Sequence, residues 1–174
     1  MTPRGAGRTS RKPPGILGWR EWAALPDLGV EAIKVKLDTG ARTSSLHAFD
    51  LERFDREGSA MVRFEIHPHQ RSARNAVQVE AEVVDERWVR NSGGIRELRP
   101  VIETVVRIGK ERWPIELTLS RRDEMGFRML LGRQALRYRA VVDPGKSYRA
   151  GRRRGPRRPE PSEPGSRQGG GGDA

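Results

Sequence analysis

In several runs between residues 33 and 119 apolar side chains alternate with polar ones, and this dominant period of two constrains the fold more than any other feature of the sequence. Ile33, Val35 and Leu37 alternate with Lys34 and Lys36. Val62, Phe64 and Ile66 alternate with Arg63 and Glu65, and Val77, Val79, Ala81 and Val83 repeat the pattern. Successive side chains of a strand point to opposite faces, so the alternation specifies strands with one buried face. Two more runs, LRPVIETVVRI and RWPIELTLS, meet at Gly109-Lys110, which reads as a tight hairpin. The best helical stretch is short, RQALRYR after Gly132. Many short strands and tight turns predict an all-β protein: a small closed or sandwich-like β-barrel with one short helix near the C-terminal end of the domain.

A chain of 174 residues is long enough for one core and short for two. It is 34% hydrophobic and 33% charged, with a mean hydropathy of -0.75, which is polar for a globular protein unless part of it lies outside the core. Both ends supply that part. MTPRGAGRTSRKPP and GRRRGPRRPEPSEPGSRQGGGGDA are dense in Gly, Pro and Arg, and residues 1–14 and 151–174 are expected to be disordered basic tails around a domain at 15–150. Residues 1–14 and 149–174 each carry +4 of the formal charge of +11, which leaves +3 for residues 15–148. Nucleic-acid contact, such as with ribosomal RNA, is therefore expected of the tails, non-specific and salt-sensitive. The tryptophans are expected in the core or at its rim rather than as a base-stacking surface.

With no cysteine, disulfides and thiolate chemistry are excluded. No apolar run approaches the roughly 18 residues of a membrane span, and the expectation is a soluble cytoplasmic protein without membrane contact. No GxxxxGK[ST] phosphate cradle is present.

Two stretches carry chemistry. In VKLDTGARTSSL, residues 35–46, an inward-facing apolar strand ends on Asp38-Thr39-Gly40, followed by the small Ala41. Asp and Gly are ordinary turn residues, so an isolated DTG reads equally as a turn. Some 90 residues later, RMLLGRQAL places an apolar triplet before Gly132 and the short helix. By itself that is a buried strand with a glycine bend.

Taken together, DTGA after an apolar strand and a late hydrophobic-hydrophobic-Gly-Arg resemble the retropepsin-type aspartic proteases. GWREWAALPDLGVEAIKVKLDTGARTSSLHAFDLE, the SGG at 92–94 and DEMGFRMLLGRQAL resemble more closely a bacterial retropepsin-like family often labelled "ATP-dependent zinc protease". Its members are associated with ATP-grasp ligases that add glutamates to a ribosomal protein. The resemblance spans about residues 17–150. It implies an acid-protease barrel, an aspartic endopeptidase with Asp38 as catalytic residue, and no cofactor. It further implies that Thr39 braces paired loops and that Gly40 permits their close approach. Ala41, Arg42, Arg133 and a flap tipped by Ser92, Gly93 and Gly94 are expected at the substrate, with Leu131 and Gly132 supporting the site. Arg90 and Arg96 flank the flap and would suit an acidic, polyglutamate-like substrate, for instance on a ribosomal protein.

Water activation of this type needs two carboxylates sharing a proton, and the chain has one DTG. A homodimer that supplies one Asp38 from each copy is expected. Asp85, Asp123 and Asp143 are the alternatives within the chain. Retropepsins carry an acidic residue where this chain has Arg42, so a salt bridge from that position to Arg133 is not expected. His67-Pro-His69 puts two imidazoles on one face of an extended segment, which permits a metal but lacks a third ligand. A zinc-dependent hydrolase, or a non-catalytic barrel tethered to RNA or the ribosome by its tails, are the competing readings.

Overall fold

The structure, a computed structural model, describes residues 15–70, 72–90, 93–121 and 126–151. The expectations for residues 1–14, for the chain beyond Gly151, for Ser92 and for Asp123 lie outside these residues. Strands account for 68% of the structure. In chain order they are β1 (Gly15–Leu25), β2 (Val30–Asp38), β3 (Ser44–His47), β4 (Phe49–Arg56), β5 (Ser59–Ile66), β6 (Val77–Glu82), β7 (Asp85–Arg90), β8 (Arg96–Ile108), β9 (Glu111–Ser120), β10 (Met129–Gly132) and β11 (Ala140–Ser147). The helix α1 is a single turn, Arg133–Leu136.

Pairing runs β11-β1-β2-β10-β3-β9-β8-β7, and β1 also pairs with β8 through Ala23↔Ile108 and Ala24↔Arg107. That last contact closes a six-strand barrel, as the alternating pattern predicted. Closure leaves none of those six strands as an open edge, while β11 and β7 remain the outer strands of the sheet. β4, β5 and β6 form a separate antiparallel sheet over the barrel. Its buried side chains Leu51, Val62, Phe64, Ile66 and Val79 join those of β2 in one core. Val83 falls just past the end of β6 and is half-buried.

The hairpin read at Gly109-Lys110 joins β8 to β9, with Ile108 opposite Glu111. Gly109 sits there at φ 60, the left-handed conformation that glycine adopts without steric cost. Trp113 lies in the core and its indole N–H donates to the Ala135 carbonyl at 3.0 Å. Trp19 and Trp22 are half-buried beside cations: Arg20 lies over Trp19, and Lys34 over Trp22. Trp88 departs from the expected core or rim position, being 61% exposed on β7.

One buried carboxylate ties the ends of the domain together. Glu21 on β1 is fully buried, and its Oε1 accepts the backbone N–H of Gly18 at 2.7 Å and of Arg149 at 2.8 Å. Its Oε2 accepts the N–H of Ala150 at 3.2 Å. Three N–H donors on one carboxylate satisfy a charge that could not otherwise be taken out of water.

Candidate active site

The two chemistry-bearing stretches are neighbours. β2 and β10 run parallel in the register Val35↔Met129, Leu37↔Leu131 and Asp38↔Gly132. β10 is buried along its whole length, which explains its unbroken apolar run. A Cβ on Gly132 would stand 2.4 Å from the Thr43 carbonyl oxygen and 3.0 Å from that of Ala41. Only glycine allows the Asp38 loop to lie this close.

The loop is then fastened to α1. Arg133 N–H donates to the Ala41 carbonyl at 2.7 Å, and Gln134 N–H to that of Arg42 at 3.1 Å. Gly132 N–H donates to Ser44 Oγ at 3.0 Å, and Thr118 Oγ1 donates to the Ser44 carbonyl at 2.9 Å. The Arg133 guanidinium reaches the Thr39 carbonyl at 3.3 Å. Within one chain, Arg133 therefore braces the loop from the α1 side.

Asp38 Oδ1 accepts the N–H groups of Gly40 and Ala41, both at 3.1 Å. Two backbone donors on one oxygen fix the plane of the carboxylate. Oδ2 lies 3.9 Å from Lys36 Nζ, and the side chain is 26% exposed. The nearest neighbour a Gly40 Cβ would meet is the Asp38 carboxylate itself, at 3.3 Å.

Asp38 opens into a cavity of about 780 Å³. One wall is the Asp38 loop with Ala41, Arg42 and Thr43; the other is strand β7 from Glu86 to Arg90. β7 and β8 form a hairpin with Arg90 opposite Arg96, and Gly94, between the two strands, is at φ 79. Strand β7 of the hairpin predicted as a flap lines the cavity that contains Asp38, whereas Gly93 and Gly94 are not among the lining residues. Both glycines are exposed.

Four arginines line the cavity: Arg42, Arg87, Arg90 and Arg99. Arg42 and Arg90 are exposed and form no ion pair with a described residue. Arg87 donates to Glu116 at 2.6 Å and to Asp85 at 2.7 Å. Chiefly through Glu116, these contacts raise its pKa and hold it charged. Arg99 is buried and pairs with Glu97 at 2.9 Å.

Among the described residues, Glu86 is the second carboxylate lining this cavity, and it is ion-paired to Arg53. The acids weighed from the sequence are engaged elsewhere. Asp85 is held by Arg87, and Asp143, on β11, by Arg149 and the Gly145 N–H.

His67 and His69 do not converge. The His67 ring stacks on Phe49 at 3.7 Å and meets Glu65 at 3.1 Å, while His69 approaches Asn75. Among the described residues no three His, Cys, Asp or Glu side chains are grouped to hold a metal ion. Their donor set does not fit zinc.

Sequence reasoning missed Glu86, Arg87, Arg99 and Gln134 as cavity residues. The β7–β8 register, which brings Arg87 opposite Arg99, was the signal, and it appears only once the hairpin is aligned.

A closed six-strand barrel with Asp-Thr-Gly at a strand end, a Gly-Arg turn packed behind it and a hairpin strand walling its cavity defines a retropepsin-type acid-protease fold. The family model described as "Retropepsin-like aspartic endopeptidase RimB" matches residues 16–153, and the chain belongs to this RimB-like family. It is 49% identical over 133 residues to a protein of Shewanella pealeana named "Probable alpha-L-glutamate ligase", covering 76% of this chain and 29% of that protein. A protein of the same name from Desulfotalea psychrophila is 48% identical over 129 residues, 74% of this chain and 28% of the relative. The chain thus spans under a third of the length of these curated relatives. Among solved structures, Legionella pneumophila Lpg0085, described as of unknown function, superposes with a TM-score of 0.64 at 28% identity. That match covers 78% of this chain and 98% of the Legionella chain.

Proposed function

We propose that this protein is an aspartic-type peptidase that hydrolyses an acidic polypeptide, with Asp38 as one of two carboxylates that activate water. The observation that carries the reading is the Asp38 carboxylate, fixed by the Gly40 and Ala41 N–H groups at the mouth of a cavity walled by strand β7. The second carboxylate is Asp38 of another copy of the chain, brought up by a homodimer.

The ionised member of the pair takes a proton from water as the water oxygen attacks the scissile carbonyl carbon. The protonated member donates its proton to the carbonyl oxygen. Collapse of the resulting diol breaks the C–N bond: the proton taken from water passes to the leaving amine, and one diol hydroxyl returns its proton to the other carboxylate. No covalent intermediate forms.

Arg42 and Arg90, exposed and without carboxylate partners among the described residues, support an acidic substrate. The name of the longer relatives, "Probable alpha-L-glutamate ligase", favours one rich in glutamate.

The test is Asp38→Asn assayed on a glutamate-rich peptide. It is expected to lose hydrolysis while melting within about 1 kcal/mol of the unaltered chain, as surface-site changes do. Undiminished cleavage would sink the proposal, and no cleavage by the unaltered chain would favour a binding module.

A further inference from the structure

The turn that follows α1 holds an exposed aromatic ring in a conformation that aromatic residues rarely adopt. Arg137 N–H donates to the Arg133 carbonyl at 2.9 Å and Arg139 N–H to that of Leu136 at 2.9 Å, so α1 caps at Arg137 and Tyr138 stands one residue past the cap. Glycine or asparagine is usual there, because the backbone turns left-handed. Tyr138 makes that turn at φ 63, an outlier for a bulky side chain. It is 67% exposed, more than any other large hydrophobic side chain among the described residues.

Strain kept at an exposed position directs attention to what that residue presents. Tyr138 borders a cavity of about 490 Å³ whose walls include Trp113, Gln134, Arg137 and Arg139. No carboxylate of a described residue lines it. Arg137 and Arg139 are exposed and form no ion pair with a described residue, and the Arg137 guanidinium lies over the Tyr138 ring at 6.0 Å. Glu111 lines a neighbouring, smaller cavity of about 150 Å³ with Tyr138 and Arg139.

We infer that the larger cavity is a binding site for a single-stranded nucleic acid, with a base stacked on Tyr138 and backbone phosphates on Arg137 and Arg139. Single strands are held by aromatic rings on which bases stack and by cations along the backbone, and an exposed ring between two arginines supplies both parts. Gln134, exposed in the same wall, carries the amide donor and acceptor that a base edge can pair with. An acidic peptide would use the arginines and leave the strained ring without a role. A strand is favoured over a free nucleotide by the charge that joins the domain here: residues 1–14 bring Arg4, Arg8, Arg11 and Lys12 up to Gly15, whose N–H donates to the Arg139 carbonyl at 3.2 Å. The site is independent of the peptidase reading.

The experiment measures binding of the full chain to fluorescent single strands of about 12 nucleotides, RNA and DNA of one sequence, by anisotropy from about 0.05 M to about 0.5 M salt. Tyr138→Gly removes the ring and the strain together. It is expected to melt no lower than the unaltered chain and to bind at least about fivefold more weakly. Tyr138→Phe keeps the ring and is expected to bind as the unaltered chain does. Arg137→Gln and Arg139→Gln are each expected to flatten the slope of log affinity against log salt by about 0.7, the share of one phosphate on a single strand.

Undiminished affinity in Tyr138→Gly, an equal loss in Tyr138→Phe, or an unchanged salt slope in both arginine variants overturns the inference and assigns any binding to the basic ends of the chain. Absence of binding to either strand overturns it as well. A nucleoside monophosphate that competes as tightly as the strand overturns the choice of a strand. A glutamate-rich peptide whose binding falls as steeply in Tyr138→Gly overturns the choice of a nucleic acid. Tighter binding of RNA or of DNA names the strand, and either supports the inference. Every readout is binding rather than cleavage, so failure here and failure of the peptidase reading are told apart.

Discussion

Gly132 and Ser44 determine whether Asp38 is held in place. Gly132→Ala drives a Cβ to within 2.4 Å of a backbone oxygen, a contact no side-chain rotation can relieve. We expect a loss of about 1–3 kcal/mol or more, as for other overpacked sites, read by urea denaturation. The same substitution should depress activity beyond what the unfolded fraction explains, because the loop that must yield carries Ala41 and Thr43. Ser44→Ala tests the opposite fault. It leaves the buried Gly132 N–H without its acceptor, at a cost of about 1–3 kcal/mol. A melting temperature unchanged in Ser44→Ala would mean that the β10 turn has another acceptor.

Among the elements, the flap and the covering sheet respond to different perturbations. Gly94 occupies the left-handed region in open space, so Gly94→Val strains the β7–β8 connection by about 1–2 kcal/mol without a clash. Steady-state kinetics should show a raised KM while the barrel melts nearly as before. On β6, Glu80 receives Arg56 and Arg63, and these hydrogen bonds lower its pKa below the usual glutamate value of 4.5. A carboxylate lowered in the folded state stabilises above its unfolded pKa, and that contribution is lost as pH falls through the lowered value. Glu80→Gln should therefore flatten the melting temperature against pH on the acid side and leave the neutral range least affected in slope. An identical acid-side profile in the variant would exclude Glu80 as a contributor.

The alternating elements were legible in advance: Ile33, Val35 and Leu37 face inward because the period of two permits nothing else. The DTG and Gly-Arg stretches were legible as motifs, but their alignment at Asp38↔Gly132 joins residues 94 positions apart, and no local signal specifies it. Arg99 was illegible for a sharper reason. Hydrophobic patterning puts Leu98 inside and Arg99 outside, and the hairpin does the reverse.

For the molecule as a whole, the decisive question is how many copies complete the site. If each site needs Asp38 from two chains, subunits exchanged at equal amounts with Asp38→Asn should retain about a quarter of the activity, against about a half for independent monomers. Activity per chain should also fall on dilution, in step with dissociation measured by sedimentation. A half-retained activity, independent of dilution, would place both carboxylates in one chain.

The Glu21 tie has a consequence for where this polypeptide can be shortened. Cutting after Ser147 spares every strand, yet it removes the Arg149 and Ala150 donors and leaves a fully buried carboxylate with Gly18 alone. Such a truncation should cost about 3–5 kcal/mol, the penalty of an uncompensated buried charge, whereas ending at Gly151 should cost little. Glu21→Gln should recover part of the loss in the shortened chain and destabilise the longer one. That opposite sign, read from two denaturation curves, would put the working end of the barrel three residues past its last strand.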